Sequence, residues 1–497
     1  MRTLVSFALV IAAFTVSPAQ GKGSRPRRTG QAPLAQATPA ITPRPTPPPA
    51  PPAANDRILA EVRRQDKVDR DTTGQFVNLP AAEHLRRAAI YHSNRAFAEA
   101  RAHWQTVIDR YPDEKNAPPA LFGLGRSNFQ EQNYRAALPF FQQLADQYPN
   151  TFDGREGRYF IAATNLRLGK FNEAVTGYDD YISRYPNGER VEPAHLNAID
   201  TLREAGRNSD ALVWVGRARA QFPRTLTETN AVFAKLRLEL ATKQWNDASR
   251  TATELRTLPF GKDVMTDTGE IAFLRAYALE RAGRADEAVA GYLQVTDRVG
   301  SYHGGLATAR LQKLAASRPE TQDRVARITK EIKAASAAYP LRFSAEILRA
   351  AKTHGVDPRL ALAIMKQESG FNPGAKSPSA ARGLLQLTID TARKFAPRTP
   401  YTTLREDDLY RPEVNSAVGC AYIAELLRLF PNNFDAVAAS YNGGEDNAAR
   451  WVKRAANPDA GLFAAEVGFS ETKAYVFKVM SNYRAYQTLY TNELKAR

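Results

Sequence analysis

One carboxylate stands out for its placement. Asp357-Pro358 has the form of a helix start, a capping carboxylate followed by proline in the first turn, and Gly370 closes the helix after Ser369. Leu360, Ile364 and Glu368 fall at i, i+4 and i+8, so one face of that helix reads apolar, apolar, carboxyl. A carboxyl on a buried face loses hydration, and at a helix C-terminus it also meets the negative end of the dipole. Both effects favour its protonated form, which is what a general acid needs near neutral pH. The helix alone fits equally well with a glutamate that ends the helix and turns to solvent.

The surroundings of Glu368 separate these readings. Glu368-Ser369-Gly370-Phe371-Asn372-Pro373 is followed by Ser377-Pro378 and by Ala381-Arg382-Gly383-Leu384-Leu385-Gln386-Leu387. Further on come Pro412-Glu413-Val414-Asn415 with Gly419 and Tyr422, and Ala439-Ser440-Tyr441-Asn442-Gly443-Gly444 with Arg450-Trp451. Phe469-Ser470-Glu471-Thr472-Lys473-Ala474-Tyr475-Val476 closes the series. In order and spacing these five elements resemble the signature of the soluble lytic murein transglycosylases, over Tyr339 to about Tyr486. The departures are Leu385 and Thr388 where methionines are usual, Ile389 for proline, Gly443 for alanine, Lys473 for arginine and Gly468 for proline. None of them touches the glutamate, so they bear on the shape of the groove.

The resemblance implies an α-helical lysozyme-like domain that cleaves the bond between N-acetylmuramic acid and N-acetylglucosamine, leaving a 1,6-anhydromuramyl end. It makes Glu368 the single catalytic acid and base. Ser369, Ser377, Gln386, Tyr441 and Asn442 are then expected to line the site, with Glu471 and Tyr475 contacting saccharide or stem peptide. It implies no cofactor and no metal, and the six histidines (His84, His92, His103, His195, His303 and His354) all lie outside the motif-bearing elements. Two other functions stay open at this point. One is a hydrolytic goose-type lysozyme, which needs a second carboxylate such as Asp390, Asp407 or Asp408 to activate water. The other is a non-catalytic cell-wall scaffold in which the repeats do the work.

The elements that must position this site begin far upstream. Tyr111-Pro112, Tyr148-Pro149, Tyr185-Pro186 and Phe222-Pro223 recur every 37 residues. Ala100, Ala137, Ala174, Ala211 and Ala248 keep the same period, with Ala288 arriving 40 residues later. An aromatic stands three residues before most of those alanines: Phe97, Tyr134, Phe171 and Trp245, with Asn208 the exception. Proline ends a helix, and small residues early in the second helix let paired helices approach. A unit this short cannot bury its apolar face alone, so neighbours stack into a solenoid resembling tetratricopeptide-like repeats. The expected organisation is all-α: a helical repeat array over 56–300, a helical connector over 301–338 and the catalytic domain over 339–497.

Ahead of the array, Met1-Arg2 and the apolar run Leu4–Val16 read as a signal peptide ending near Ala19, and 20–55 as a basic, proline-rich tether. The chain carries a formal charge of +16, which draws it to polyanions. Export removes nucleic acid from that set and leaves peptidoglycan glycan strands in the periplasm or cell envelope. The repeats add a possible protein partner. No later stretch approaches the length of a membrane span, so none is expected once the signal is cleaved.

Overall fold

The computed structural model describes residues 54–497 apart from 114, 457 and 458. The leader expected over 1–19, and nearly all of the proline-rich tether, lie outside the described residues. The described chain is all-α, with isolated β-bridges and no strand among the described residues.

After α1 (Ala54–Val68), six helix pairs follow in register. They are α2/α3 (Ala81–Ser93, Phe97–Arg110), α4/α5 (Ala117–Gln130, Tyr134–Gln147) and α6/α7 (Phe152–Arg167, Phe171–Arg184). The series continues with α8/α9 (Val191–Glu204, Asn208–Gln221), α10/α11 (Leu226–Ala241, Trp245–Leu255) and α12/α13 (Thr268–Arg281, Ala285–Gln294). Each aromatic of the ladder heads the second helix of its pair, and Asn208 takes that place in α9. Every alanine of the second ladder is fully buried. The tyrosine or phenylalanine before each periodic proline is the C-cap residue of the helix it closes.

A third ladder emerges from the backbone. Arg95, Gln132, Gly169, Gly206, Lys243 and Gly283 each adopt positive φ, between 60° and 80°, in the turn that joins the helices of a pair. The left-handed turn repeats with the period of the alanines, but side-chain identity does not. Glycine fits such a position at no steric cost, yet half of the turns spend an ordinary residue there.

Beyond the pairs lie α14 (Tyr302–Leu314) and α15 (Pro319–Ala334), then α16 (Ser344–His354) and α17 (Pro358–Ser369). The chain ends with α18 (Ile389–Phe395), α19 (Pro412–Leu429), α20 (Phe434–Gly443), α21 (Glu445–Ala455), α22 (Ala460–Glu466) and α23 (Ser470–Leu489). Every residue of α17 from Pro358 to Met365 is buried, and the helix lies against α23. Ile328 and Ile332 of α15 share this core with Leu360, Ile364 and Val476.

Array and terminal helices are packed as one body. Leu462 and Ala465 of α22 sit in the apolar cluster of α10–α14, with Phe273 and Leu274. A Cβ on Gly461 would fall 2.1 Å from the Phe273 ring, so only glycine lets the helices meet there. Charged groups close the same junction. Glu466, 2% exposed, binds Arg203 and lies 3.6 Å from Arg237 and 3.3 Å from Arg454. Lys473 of α23 pairs with Glu270 of α12 at 2.8 Å, and Arg484 with Asp297 at 2.8 Å.

Because Ala137 and Ala174 have no exposed surface, enlarging either to leucine overpacks a helix crossing. A loss of about 1–3 kcal/mol is expected for each, read as an earlier melting transition. An unchanged melt in both variants would show that the ladder is not a packing ladder.

Candidate active site

Local signals fix the helix that carries Glu368. Asp357 caps α17 by accepting from the Arg359 amide at 2.9 Å, Pro358 takes the first turn, and Gly370 closes the helix at φ +57°. Burial of the first eight residues locks the helix, and exposure opens only in its last turn. Glu368 keeps a minor part of its surface open to solvent, as a proton donor to a bound molecule must.

Its carboxyl is otherwise crowded by aromatic side chains. The Tyr475 hydroxyl donates to Oε1 at 2.6 Å. Tyr441 and Tyr422, with ring centres 5.2 Å apart, are close enough that the charge of Glu368 raises the proton affinity of both. Burial pushes the Glu368 pKa up to about 8; the Tyr475 hydrogen bond opposes the rise and the charge of Glu471 adds to it. The direction is the one expected from the buried face of the helix, and burial is its largest cause.

The other wall is the segment between α17 and α18. Bridges Lys376–Arg382 and Arg382–Leu387 fold it into a tight loop. Asn415 of α19, fully buried, pins that loop from both ends of its amide. Its Oδ1 accepts from Leu385 N at 2.7 Å, and its Nδ2 donates to Arg382 O at 2.9 Å and Leu409 O at 2.8 Å. Gly383 sits at φ +76°, and a Cβ there would lie 2.0 Å from Leu409 O, so the position admits only glycine.

Of the residues singled out with Glu368, Tyr475 bonds its carboxyl, and the others divide between the loop and the start of α23. Ser369 Oγ donates to Leu384 O at 2.7 Å and Tyr441 OH to Leu385 O at 2.7 Å, so both grip the loop from the Glu368 side. Gln386 turns its amide back to Gly383 O (2.8 Å) and Ala375 O (3.1 Å), and Ser377 Oγ accepts from Ala381 N at 3.1 Å. These two shape the loop from within. Asn442 Oδ1 accepts from Thr472 Oγ1 at 2.6 Å, tying α20 to the start of α23 beside Glu471. Of the carboxylates considered as a second group, Asp390 is engaged by Arg95 at 3.0 Å and Asp408 caps its own short turn by accepting from Arg405 N. The acid that the fold sets beside Glu368 is Glu471.

Residues 346–463 match the family model described as Transglycosylase SLT domain, and 119–151 and 159–188 match Tetratricopeptide repeat. The chain carries a transglycosylase SLT domain. Over 160 residues it is 31% identical to the soluble lytic murein transglycosylase of Salmonella typhimurium, covering 32% of this chain and 25% of that protein. Over 152 residues it is 33% identical to the soluble lytic murein transglycosylase of Escherichia coli K12, covering 30% of this chain and 23% of that protein. The match thus spans about a quarter of the length of these curated relatives. A solved structure of an inactive mutant of lytic transglycosylase Slt from Pseudomonas aeruginosa aligns over 88% of this chain and 76% of that one, at 19% identity and a TM-score of 0.47.

Reading by motif passed over groups that build the SLT domain's site. Tyr422 and Asn415 stand in a recognised segment, but nothing in their spacing says that one crowds a carboxyl and the other pins a loop. Thr472, next to Glu471, holds Asn442. Among the histidines, His84 and His103 meet Nδ1 to Nδ1 at 2.8 Å in the first helix pair, far along the chain from this site.

The raised pKa of Glu368 carries a stability cost of definite sign. The folded state holds a proton that the unfolded chain, with an ordinary glutamate value of 4.5, has released, so stability falls as pH climbs from there to about 8. Glu368→Gln removes this titration. The variant's melting temperature should match wild type near about pH 5 and exceed it increasingly towards about pH 8. An equal difference at both values would place the carboxyl outside a desolvated setting.

Proposed function

We propose that this protein is a lytic transglycosylase of peptidoglycan that cleaves the β-1,4 bond from N-acetylmuramic acid to N-acetylglucosamine, with Glu368 as sole acid and base. The observation that carries the proposal is the desolvated, tyrosine-crowded carboxyl with raised pKa at the end of α17 inside an SLT domain.

In the first step Glu368 gives its proton to the glycosidic oxygen, and the bond to the anomeric carbon breaks. The substrate's own 2-acetamido group stabilises that carbon, in place of the second carboxylate that most glycosidases use. Glu368, now ionised, is held by the Tyr475 hydroxyl, a donor that stabilises the anion without a positive charge. It then takes the proton from the muramyl 6-hydroxyl, whose oxygen closes on the anomeric carbon. The products are a 1,6-anhydromuramyl end and a free N-acetylglucosamine end. The proton account closes on Glu368 and no water is consumed, so the chemistry calls on no cofactor.

In this reading Ser369 and Tyr441 hold the loop at the distance the sugar needs, Gln386 and Ser377 keep its shape, and Asn442 with Glu471 borders the saccharide or stem-peptide side. The substrate places the protein in the periplasm or cell envelope after export. No helix among the described residues is long and apolar enough to cross a membrane. The repeat array is the surface through which a protein partner would dock.

Glu368→Gln keeps size and removes the proton donor. Cleavage of purified murein should drop by about 10²–10⁴-fold while murein binding persists. Mass spectrometry of wild-type products decides the outcome of the reaction, since an anhydro end is lighter than a reducing end by one water. Reducing ends would instead make Glu471 the candidate base of a hydrolytic lysozyme, and a Gln variant within a few-fold of wild type would remove Glu368 from the chemistry.

A further inference from the structure

The loop that Ser369 and Tyr441 grip carries two buried cations whose ion-paired acid does not come from the terminal domain. Lys376 and Arg382 have side chains 3% and 0% exposed. Their anion comes from the far end of the chain. Asp56, in the first turn of α1, accepts from Lys376 Nζ at 2.7 Å and from Arg382 Nη2 at 2.5 Å, and the Tyr410 hydroxyl also binds it. Lys376 Nζ further donates to Asn94 Oδ1, at the turn between α2 and α3, at 2.7 Å. Arg382 Nη1 donates to Ala380 O within the loop at 2.7 Å.

Glu406 is the other acid whose charge acts on both cations, and it too is approached from α1, by Arg63 at 3.4 Å. Burial alone would raise the Asp56 pKa, but the hydrogen bonds from Arg382, Lys376 and Tyr410 prevail and hold it at about 2. Asp56 is therefore charged at any pH at which the protein works. Removing one partner of such a buried cluster strands the others, which is far costlier than never having formed it.

We propose that Asp56 is a positioning residue for the site: by neutralising Lys376 and Arg382 it holds the 375–387 loop in the form that receives Ser369 and Tyr441 beside Glu368. The site is then completed by the first helix of the repeat array, more than 300 residues away in sequence. Asp56 touches no reacting atom and acts through the loop. The inference rests on the reading of Glu368 above for its effect on turnover, but the clamp itself is a statement about the loop alone.

The test uses the full chain with Asp56→Asn, which keeps shape and an acceptor oxygen but no charge. Amide hydrogen exchange across 375–387 should accelerate by about tenfold or more, while the helix pairs stay protected. Turnover on soluble glycan chains should fall by roughly 10–100-fold in kcat, with KM changed much less, as for displacement of catalytic groups. Adding Lys376→Met to Asp56→Asn deletes one stranded cation and should recover part of both losses, which relief of a mere packing defect would not. Arg95→Ala, which breaks the exposed pair with Asp390 in the same interface, should leave exchange and turnover as in wild type.

If Asp56→Asn does not fold, Tyr410→Phe carries the test. It keeps every charge, removes one hydrogen bond to Asp56, and should loosen the loop in the same direction to a lesser degree. A folded Asp56→Asn chain with wild-type loop protection, or with wild-type kcat, overturns the proposal, as does a Tyr410→Phe loop as protected as wild type where that variant stands in. Should the wild-type chain fail to cleave murein, the reading of Glu368 falls, and loop exchange alone still decides the clamp.

Discussion

A buried carboxyl that must stay protonated cannot have a cation beside it. This single restriction organises the terminal domain. The chain has 68 lysines and arginines against 52 acids, and several buried acids elsewhere are met by them. Asp56 lies against Lys376 and Arg382, Asp66 against Arg87, Glu156 against Arg190 and Glu466 against three arginines. Around Glu368 the fold sets tyrosines instead. A phenol can donate one directed hydrogen bond and exclude water without the Coulombic pull that would empty the carboxyl of its proton. Tyr475 on α23, Tyr441 on α20 and Tyr422 on α19 come from three helices, so the cage exists only when all three are packed against α17.

That dependence explains why the array and the terminal helices share cores and buried ion pairs. α23, which brings Tyr475, is tied to α12 by Lys473 and Glu270. α22 is seated among the array's apolar side chains, and the loop is anchored at α1. Buried ion pairs add little net stability compared with apolar packing, but they reject wrong placements because a misplaced partner leaves a charge stranded. Such contacts suit a molecule whose repeats must hold one register over some 240 residues and then meet the terminal helices at several points. Lys473 reaches both Glu270 and Met265 O with a single ammonium group.

What could be read from the sequence was whatever repeats or lies within one helix. Spacing in α17 put Glu368 on an apolar face and the motifs around it singled it out, while the alanine and aromatic ladders followed from a 37-residue period carried by residue type. The positive-φ ladder has the same period but is carried by conformation, and Arg95, Gln132 and Lys243 conceal it. The second helix of the α4/α5 pair starts at the ladder aromatic itself, Tyr134. Ser377 and Gln386 read as site-lining polar groups; in the fold their hydrogen bonds run into the loop's own backbone, a choice set by local φ and ψ that no motif encodes. Asp56 lay beyond reach altogether, since pairing across more than 300 residues leaves no periodic trace in a single chain.

Asp435 offers an internal comparison for the raised pKa of Glu368. It too is buried, it too accepts from a tyrosine hydroxyl, that of Tyr302, and burial raises its pKa to about 6 against an ordinary value of 3.8. No like charge contributes to that rise. Glu368 is likewise buried beside a tyrosine hydroxyl and climbs further from its own ordinary value, to about 8, with burial the largest cause and the charge of Glu471 a smaller one. Burial thus drives both rises; at Glu368 the charge of Glu471 adds to it while the Tyr475 hydrogen bond opposes it. Thr472 and Asn442 hold the start of α23 in place, so the position of Glu471 is fixed by the contact that joins α23 to α20.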